Sequence, residues 1–310
     1  MGKESAVKIW ITGANGSLGR ELFSKLKDAL PDTEILIPSR DTLNLQNISE
    51  VEDFVRAHKP SHVYHLAALA NRISDQTEHP EKCLVLNTAL DHSVFSALFK
   101  YPPKWIFYAS SVAAYGYPYA SKTLVEADWL KGFPHSGEYG YAMAKRHAKS
   151  YLDILHQALG VEFAYGLITN LFGPGDRFID GRGHVVISLL KKGLVAKQMG
   201  TPLEVWGTEN TSRDFLSTLD ASALLFDLME KHTDVVNIAS GQEIFISKLA
   251  AEITCSLDIE AGYSFSGEDI GIGNRVCSTK KLGIFTTKTN EIDSWSLLQS
   301  MITEFKTSNL

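Results

Sequence analysis

Cysteine is scarce: three residues in 310, Cys83, Cys255 and Cys277. An odd number without paired spacing supports neither a disulfide framework nor a cysteine-built metal centre, so no metal is expected. Long apolar runs are missing too. No stretch is long enough to cross a bilayer, and the opening MGKESAVKIWITG carries no signal-peptide pattern, which points to a cytoplasmic protein with no membrane partner. Charge of one sign never accumulates. The net charge of −6 is spread without blocks, which gives no basis for binding nucleic acid. What is left, 44% apolar and 21% charged residues, is an ordinary globular composition with length for one large or two smaller domains.

The most informative stretch is VKIWITGANGSLGREL, residues 7 to 22. A β-branched apolar run stops at Gly13, and the residues that follow have helical apolar spacing, so a strand, a tight turn and a helix are predicted. Gly13, Gly16 and Gly19 permit, in turn, a sharp bend, close approach of backbone to a pyrophosphate, and close packing of helix on strand. Free N–H groups at the helix start, around Asn15, Ser17 and Leu18, then face the phosphates. The same pattern also serves plain helix–strand packing. A second strand is predicted at 34 to 38, with Arg40 just past its end. A guanidinium there pairs with a 2′-phosphate, whereas a carboxylate would suit ribose hydroxyls, so NADP(H) is expected in preference to NAD.

The alternation continues: a helix at 50 to 58, a strand at 62 to 68, a helix at 80 to 100, a strand at 104 to 111, a helix at 141 to 159 and a strand at 161 to 168. This is the rhythm of an α/β, doubly wound, mainly parallel sheet. Strand ends bring Leu66, Ala67 and Ala68, then Ala109 and Ser110, then Ile168, Asn170 and Leu171 to the crevice where such sheets hold ligands. His65 reads as a packing histidine. Ser111 ends the fourth strand, and Tyr141 and Lys145 lie four apart on one helix face. An ammonium beside a phenol is expected to lower the tyrosine pKa, and a serine hydroxyl can hold a carbonyl oxygen. Together the three can protonate a carbonyl as hydride arrives. The predicted organisation is a dinucleotide-binding Rossmann domain over 1–172, to which 205–240 returns, and a smaller α/β substrate lobe made of 173–204 and 241–310.

The glycine turn, Ser111, Tyr141, Lys145 and Arg213-Asp214-Phe215 resemble the extended short-chain dehydrogenase/reductases that act on nucleotide sugars. Within that family the chain is most similar to the GDP-fucose synthase type, the 4-keto-6-deoxy-sugar epimerase/reductases, at SRDTLNL (39 to 45), TNLFGPGDRF (169 to 178), GHVVISLLKK (183 to 192) and VWGTENTSRDF (205 to 215). The resemblance implies that Arg40 faces the NADP 2′-phosphate and that Asn170, Val185, Lys192, Trp206 and Arg213 contact a nucleotide sugar. It places His184 near both sugar and cofactor, and gives Asp269 a part in choosing the nucleotide. It also implies a homodimer through helices 80–100 and 141–159, whose outer faces carry Phe95, Leu98, Tyr151 and Leu155, a set that fits such a contact and equally fits packing on the sheet.

One departure carries more information than the matches. Members of the family that transfer protons beside the carbonyl resemble one another in placing Asp, Glu or Cys within the two positions after the serine. Here those positions are Val112 and Ala113, which transfer no protons. Hydride chemistry at one carbon is therefore the first expectation: an NADP(H)-dependent reductase of a 4-keto(-6-deoxy) nucleotide sugar. A 4-epimerase on retained NAD is the alternative, and a cofactor-binding regulator without catalysis is the third reading.

Overall fold

The strand KIWIT ends where glycine allows the chain to reverse, and the computed structural model, which describes residues 7–69, 79–173, 185–266 and 272–309, is built outward from that point. β1 (Lys8–Thr12) turns at Gly13 into α1 (Ser17–Ala29), which buries Leu18, Leu22 and Leu26 at a four-residue repeat. β2 (Glu34–Leu36) is two residues shorter than predicted. It is an edge strand, and Pro38 has no N–H to continue a ladder. α2 (Ile48–His58) starts before the predicted residue 50 because the Asn47 side chain accepts from the Ser49 and Glu50 N–H groups. β3 (His62–His65) stops three residues early, since the Ala67 N–H goes to the Thr12 hydroxyl. Then come α3 (Pro80–Lys100), β4 (Trp105–Ser111), β5 (Thr123–Leu124), α4 (Tyr139–Leu159) and β6 (Glu162–Ile168).

The remainder is β7 (Asn170–Phe172), α5 (Val185–Met199), β8 (Leu203–Val205), β9 (Ser212–Arg213), β10 (Phe215–Ser217), α6 (Thr218–Asp227), β11 (Asp234–Ile238), β12 (Ile244–Phe245), α7 (Ile246–Ser256), β13 (Tyr263–Phe265), β14 (Asn274–Cys277) and α8 (Ser294–Asn309). Six strands form one parallel sheet in the order β11-β6-β4-β3-β1-β2. From β1 the chain winds first toward β2 and then back across β3, β4 and β6. The switch between β1 and β3 opens a crevice at their carboxyl ends.

Three cores hold the molecule together. α2, α3 and α4 cover one sheet face through Val51, Val94, Leu98, Leu152 and Leu155. α1 and α6 cover the other through Leu22, Leu26, Leu224 and Leu225. The third joins α5, α7 and α8 through Leu190, Leu249, Ile253 and Ile302. Phe95, Leu98 and Leu155, expected on an outer face, are buried, and Tyr151 stacks on Phe95 with ring centroids 5.0 Å apart. They pack inward because α3 and α4 lie against each other as well as against the sheet. The apolar residues these helices expose include Val85 and Ile154, 59% and 53% accessible. Among the described residues, no helix is long and apolar enough to cross a membrane.

Candidate active site

At the cofactor end, Gly13 has φ +73°, and a Cβ there would sit 2.8 Å from the Ala67 nitrogen. A Cβ on Gly19 would sit 2.3 Å from the Gly13 carbonyl oxygen. The bend and the close packing predicted from the spacing are therefore both required by this backbone. Gly16 differs from the other two. It caps α1 at φ −73° and ψ 166°, a region open to any residue, and its N–H donates to the Gly13 carbonyl at 3.0 Å. A Cβ on Gly16 would lie 3.2 Å from that same oxygen, tight but not barred. The fold alone thus does not demand glycine at 16, in contrast to 13 and 19. α1 begins without a side-chain cap and without an acidic residue in its first turn, so its N–H groups and positive dipole end stay available to an anion. Arg40 is exposed, and among the described residues nothing engages its guanidinium. These features fit a dinucleotide pyrophosphate and a 2′-phosphate. Leu66, Ala67 and Ala68 line the same crevice beyond β3, while Ala109 and Ser110 end β4, where the Ser110 hydroxyl donates to the Tyr165 hydroxyl at 2.8 Å.

Ser111 closes β4, and its Oγ accepts the Ala113 N–H at 3.2 Å, starting a short turn over 112–114. α4 packs on this turn and on β4, which brings Tyr141 and Lys145 to the same end of the sheet. Lys145 is only 1% exposed. Its Nζ donates to the Tyr108 hydroxyl at 3.3 Å and lies 5.7 Å from the Tyr141 ring centroid. No other acceptor among the described residues takes its remaining protons, so a buried ammonium has donors to spare for ligand hydroxyls. The lowered tyrosine pKa expected from this pair is not found. Burial first, then the charges of Asp91 and Glu138, hold the Tyr141 phenol well above its ordinary value. Burial pulls the Lys145 amine down, and Asp91 pushes it back up. The sequence argument weighed only the local pair; desolvation and a carboxylate on another helix outweigh it.

Gly140, one residue before the tyrosine, was not singled out by sequence. A Cβ there would lie 2.0 Å from the Pro80 carbonyl oxygen, so α3 and α4 touch backbone to backbone beside Tyr141. Gly140→Ala is expected to cost about 1–3 kcal/mol of stability through overpacking. It should also lower kcat by more than it weakens NADPH binding, because Tyr141 is displaced. Urea denaturation and steady-state kinetics check both parts. Arg146, also unforeseen, donates to the carbonyls of Ala114, Trp129 and Gly132, pinning the loop after Ser111 onto α4.

At the far end, the Asn170 side chain donates to the Asp214 carbonyl. The Arg213 guanidinium spends Nη1 on the carbonyls of Ser212 and Gly273, at 2.7 and 2.8 Å, and has no carboxylate partner among the described residues. Burial and neighbouring Arg275 push its pKa down to about 10, as expected of a cation waiting for an anion. Asp214 accepts from Ser240 and Gly241, and burial lifts its pKa to about 6. Trp206 is 74% exposed, with the Lys192 ammonium 5.4 Å from its ring centroid. Val185 starts α5 nearby in the chain. A cleft of about 430 Å³ lined by Tyr119, Ser121, Lys122, Thr208, Asn210 and Asn274 adjoins Arg213 through Gly273. His184 and Asp269 lie outside the described residues. A cluster not foreseen as a metal site, His156, Glu162 and His232, gathers within 4.8 Å at the amino end of β6, away from Ser111. There His232 Nδ1 is already 2.8 Å from Glu162.

Residues 9–239 match the NAD dependent epimerase/dehydratase family. Among curated relatives, a GDP-L-fucose synthase of Sinorhizobium fredii is 31% identical over 252 residues, which is 80% of this chain and 79% of that one. The Escherichia coli K12 GDP-L-fucose synthase is 25% identical over 261 residues, 80% and 81% of the two chains. Among solved structures, a GDP-6-OMe-4-keto-L-xylo-heptose reductase from C. jejuni superposes with a TM-score of 0.88 at 19% identity over the whole of both chains. A GDP-L-fucose synthetase from Naegleria fowleri with NADP bound gives 0.85 at 20% identity, over 100% of this chain and 96% of that one.

Proposed function

The chain belongs to the NAD dependent epimerase/dehydratase family and is an NAD(P)-dependent oxidoreductase, and on that premise we propose that it reduces the 4-keto group of a nucleotide sugar, 6-deoxy in type, with NADPH. Bound at the glycine turn and Arg40, NADPH supplies the hydride to carbon 4. Gly16, where a Cβ would be tight but not barred, keeps the backbone bare where the pyrophosphate approaches α1. Ser111 holds the carbonyl oxygen, Tyr141 gives it a proton, and Lys145 turns its spare donors to the ribose hydroxyls. Arg213, a cation without a carboxylate partner among the described residues, takes the diphosphate, and the polar cleft beside it takes the distal part of the substrate. Trp206 and Lys192 face the nucleotide base, for which the relatives' names make guanine the first choice.

The carrying observation is that Val112 and Ala113, directly after Ser111, are apolar and buried, so they offer no acid or base for carbons beside the carbonyl. We further propose a cytoplasmic homodimer, with Val85 and Ile154 on the exposed sides of α3 and α4 in its contact.

The test is NADPH oxidation against 4-keto-6-deoxy sugars on GDP, CDP, dTDP and UDP, run in deuterated water. Expected is one NADPH consumed per product on one carrier, with no deuterium at carbons 3 and 5. Deuterium there would make the enzyme an epimerase/reductase. Conversion of unoxidised sugar nucleotides without net NADPH loss would make it a 4-epimerase, and binding without turnover a regulator.

A further inference from the structure

Behind the catalytic lysine lies a chain of polar side chains that the proposed reaction does not use. The Asp91 carboxylate, 1% exposed, sits in the middle of α3. Its Oδ2 accepts from the Tyr108 hydroxyl at 2.8 Å, and that hydroxyl accepts from Lys145 Nζ at 3.3 Å. Its Oδ1 is 3.0 Å from Nε2 of His65, a fully buried residue. His65 Nδ1 is 2.7 Å from the Thr12 hydroxyl, which accepts the Ala67 N–H at 3.1 Å. One proton assignment satisfies every group. Thr12, already accepting from the backbone, donates to Nδ1, so Nε2 carries the imidazole proton and donates to Asp91. The chain thus runs from Lys145 on α4, across β4 and α3, to Ala67, the residue against which Gly13 is packed.

A carboxylate is kept in a core only when charge and hydrogen bonds compensate its lost hydration. The buried cation it faces is Lys145. We propose that Asp91 is the counter-charge of Lys145: a positioning residue that keeps the catalytic lysine an ammonium through the Tyr108 hydroxyl, and ties it to the glycine turn through His65 and Thr12. This rests on the reading of Lys145 as the ribose and proton-handling lysine. The other ionisable groups around the pair are Tyr141, Glu138 and Cys83, whose influences meet at the phenol, and Tyr165, which stacks on Tyr108 and donates to the Lys145 carbonyl. Of the charged groups here, Asp91 is the one acting on Lys145, and it opposes the effect of burial.

The sign of the consequence is fixed. Removing the negative charge lets Lys145 lose its proton at lower pH, and it also relieves the upward push on Tyr141, so both groups deprotonate at lower pH. Asp91→Asn keeps the shape and removes the charge. Two pH profiles read the effect: kcat/KM with the keto sugar, and NADPH affinity by fluorescence without substrate. Expected is a downward move of both alkaline limbs by about one pH unit or more, reversed at least in part by Asp91→Glu. Wild-type limbs in a folded Asp91→Asn protein, or a loss equal at every pH, would overturn the proposal in favour of a purely structural carboxylate. If Asp91→Asn does not fold, Tyr108→Phe decides, since it removes only the bridging hydroxyl: a downward limb supports the proposal and an unmoved one sinks it. Should no keto sugar turn over, the NADPH profile still reads Asp91, so failure of this inference and failure of the reductase reading remain distinct.

Discussion

Tyr141→Phe is expected to lower kcat by about 10²–10⁴-fold, the range for loss of a positioned general acid, while NADPH affinity and thermal stability stay close to wild type. The two halves have separate structural grounds. On the proposed reading the phenol is the proton donor, and it stands at the end of the sheet with the Lys145 ammonium 5.7 Å from its ring centroid. Its hydroxyl makes no hydrogen bond among the described residues, so folding loses nothing when the oxygen goes. Steady-state NADPH oxidation, a binding titration and a melting curve on the same preparation check the split. Full turnover in Tyr141→Phe would remove the tyrosine from the mechanism and with it the proposed reaction.

Arg275→Ala should be strongly destabilising, by about 3–5 kcal/mol, the cost of stranding one member of a buried ion pair. Arg275 is 5% exposed, donates Nε to the Tyr119 hydroxyl at 2.6 Å, and grips both oxygens of Glu138 with its two Nη groups. Burial alone would raise the Glu138 pKa, but the guanidinium more than offsets it and holds the carboxyl below its ordinary 4.5. A folded-state pKa below the unfolded one means that this stabilisation is present above the unfolded value and is lost as pH falls through the folded one. The gap between wild type and variant in urea denaturation should therefore be full at neutral pH and close in acid. Pairing Arg275→Met with Glu138→Gln should recover much of the loss, because no charge is then left buried alone. Since Glu138 immediately precedes α4, a loosened pair also loosens the seat of Tyr141, and kcat should fall with stability.

The parallel sheet was legible because its strands are short apolar runs, of which β1 stops at Gly13, β2 stops short of Pro38 and β4 ends in Ser110-Ser111, signals read within a few residues. Order along the chain put Ser111 at a strand end and Tyr141 and Lys145 on the next long helix, which is where the structure has them. Of the three turn glycines, spacing treats all alike, yet a Cβ would collide hard with backbone at Gly13 and Gly19 and only press on the Gly13 carbonyl oxygen at Gly16. The partners that set the charge of Tyr141 and Lys145 were not legible, because they meet only in three dimensions. His65 and Asp91 are 26 residues apart, Tyr108 and Asp91 are 17, and Glu138 and Arg275 are 137. The trace they leave in the sequence is a lone carboxylate in the apolar stretch LDHSVF and a histidine inside HVYHLAA. The direction of the Tyr141 pKa went wrong for the same reason. Between a dimer contact and packing on the sheet for Phe95, Leu98, Tyr151 and Leu155 the sequence does not choose, because α3 carries apolar residues nearly all round and periodicity does not say which side meets solvent.

The third core is assembled wholly from Phe172 and residues after it, and it shares no member with the two that sandwich the sheet. Well-packed cores accept volume-conserving exchanges with little loss, so this one can change its contents without disturbing Asp91, Tyr108 or Lys145. On the proposed reading it also carries Lys192 and Trp206. On that reading the molecule separates inheritance from innovation: the proton-handling half is bound to its residues, and the half that meets the nucleotide base is free to drift toward new ones.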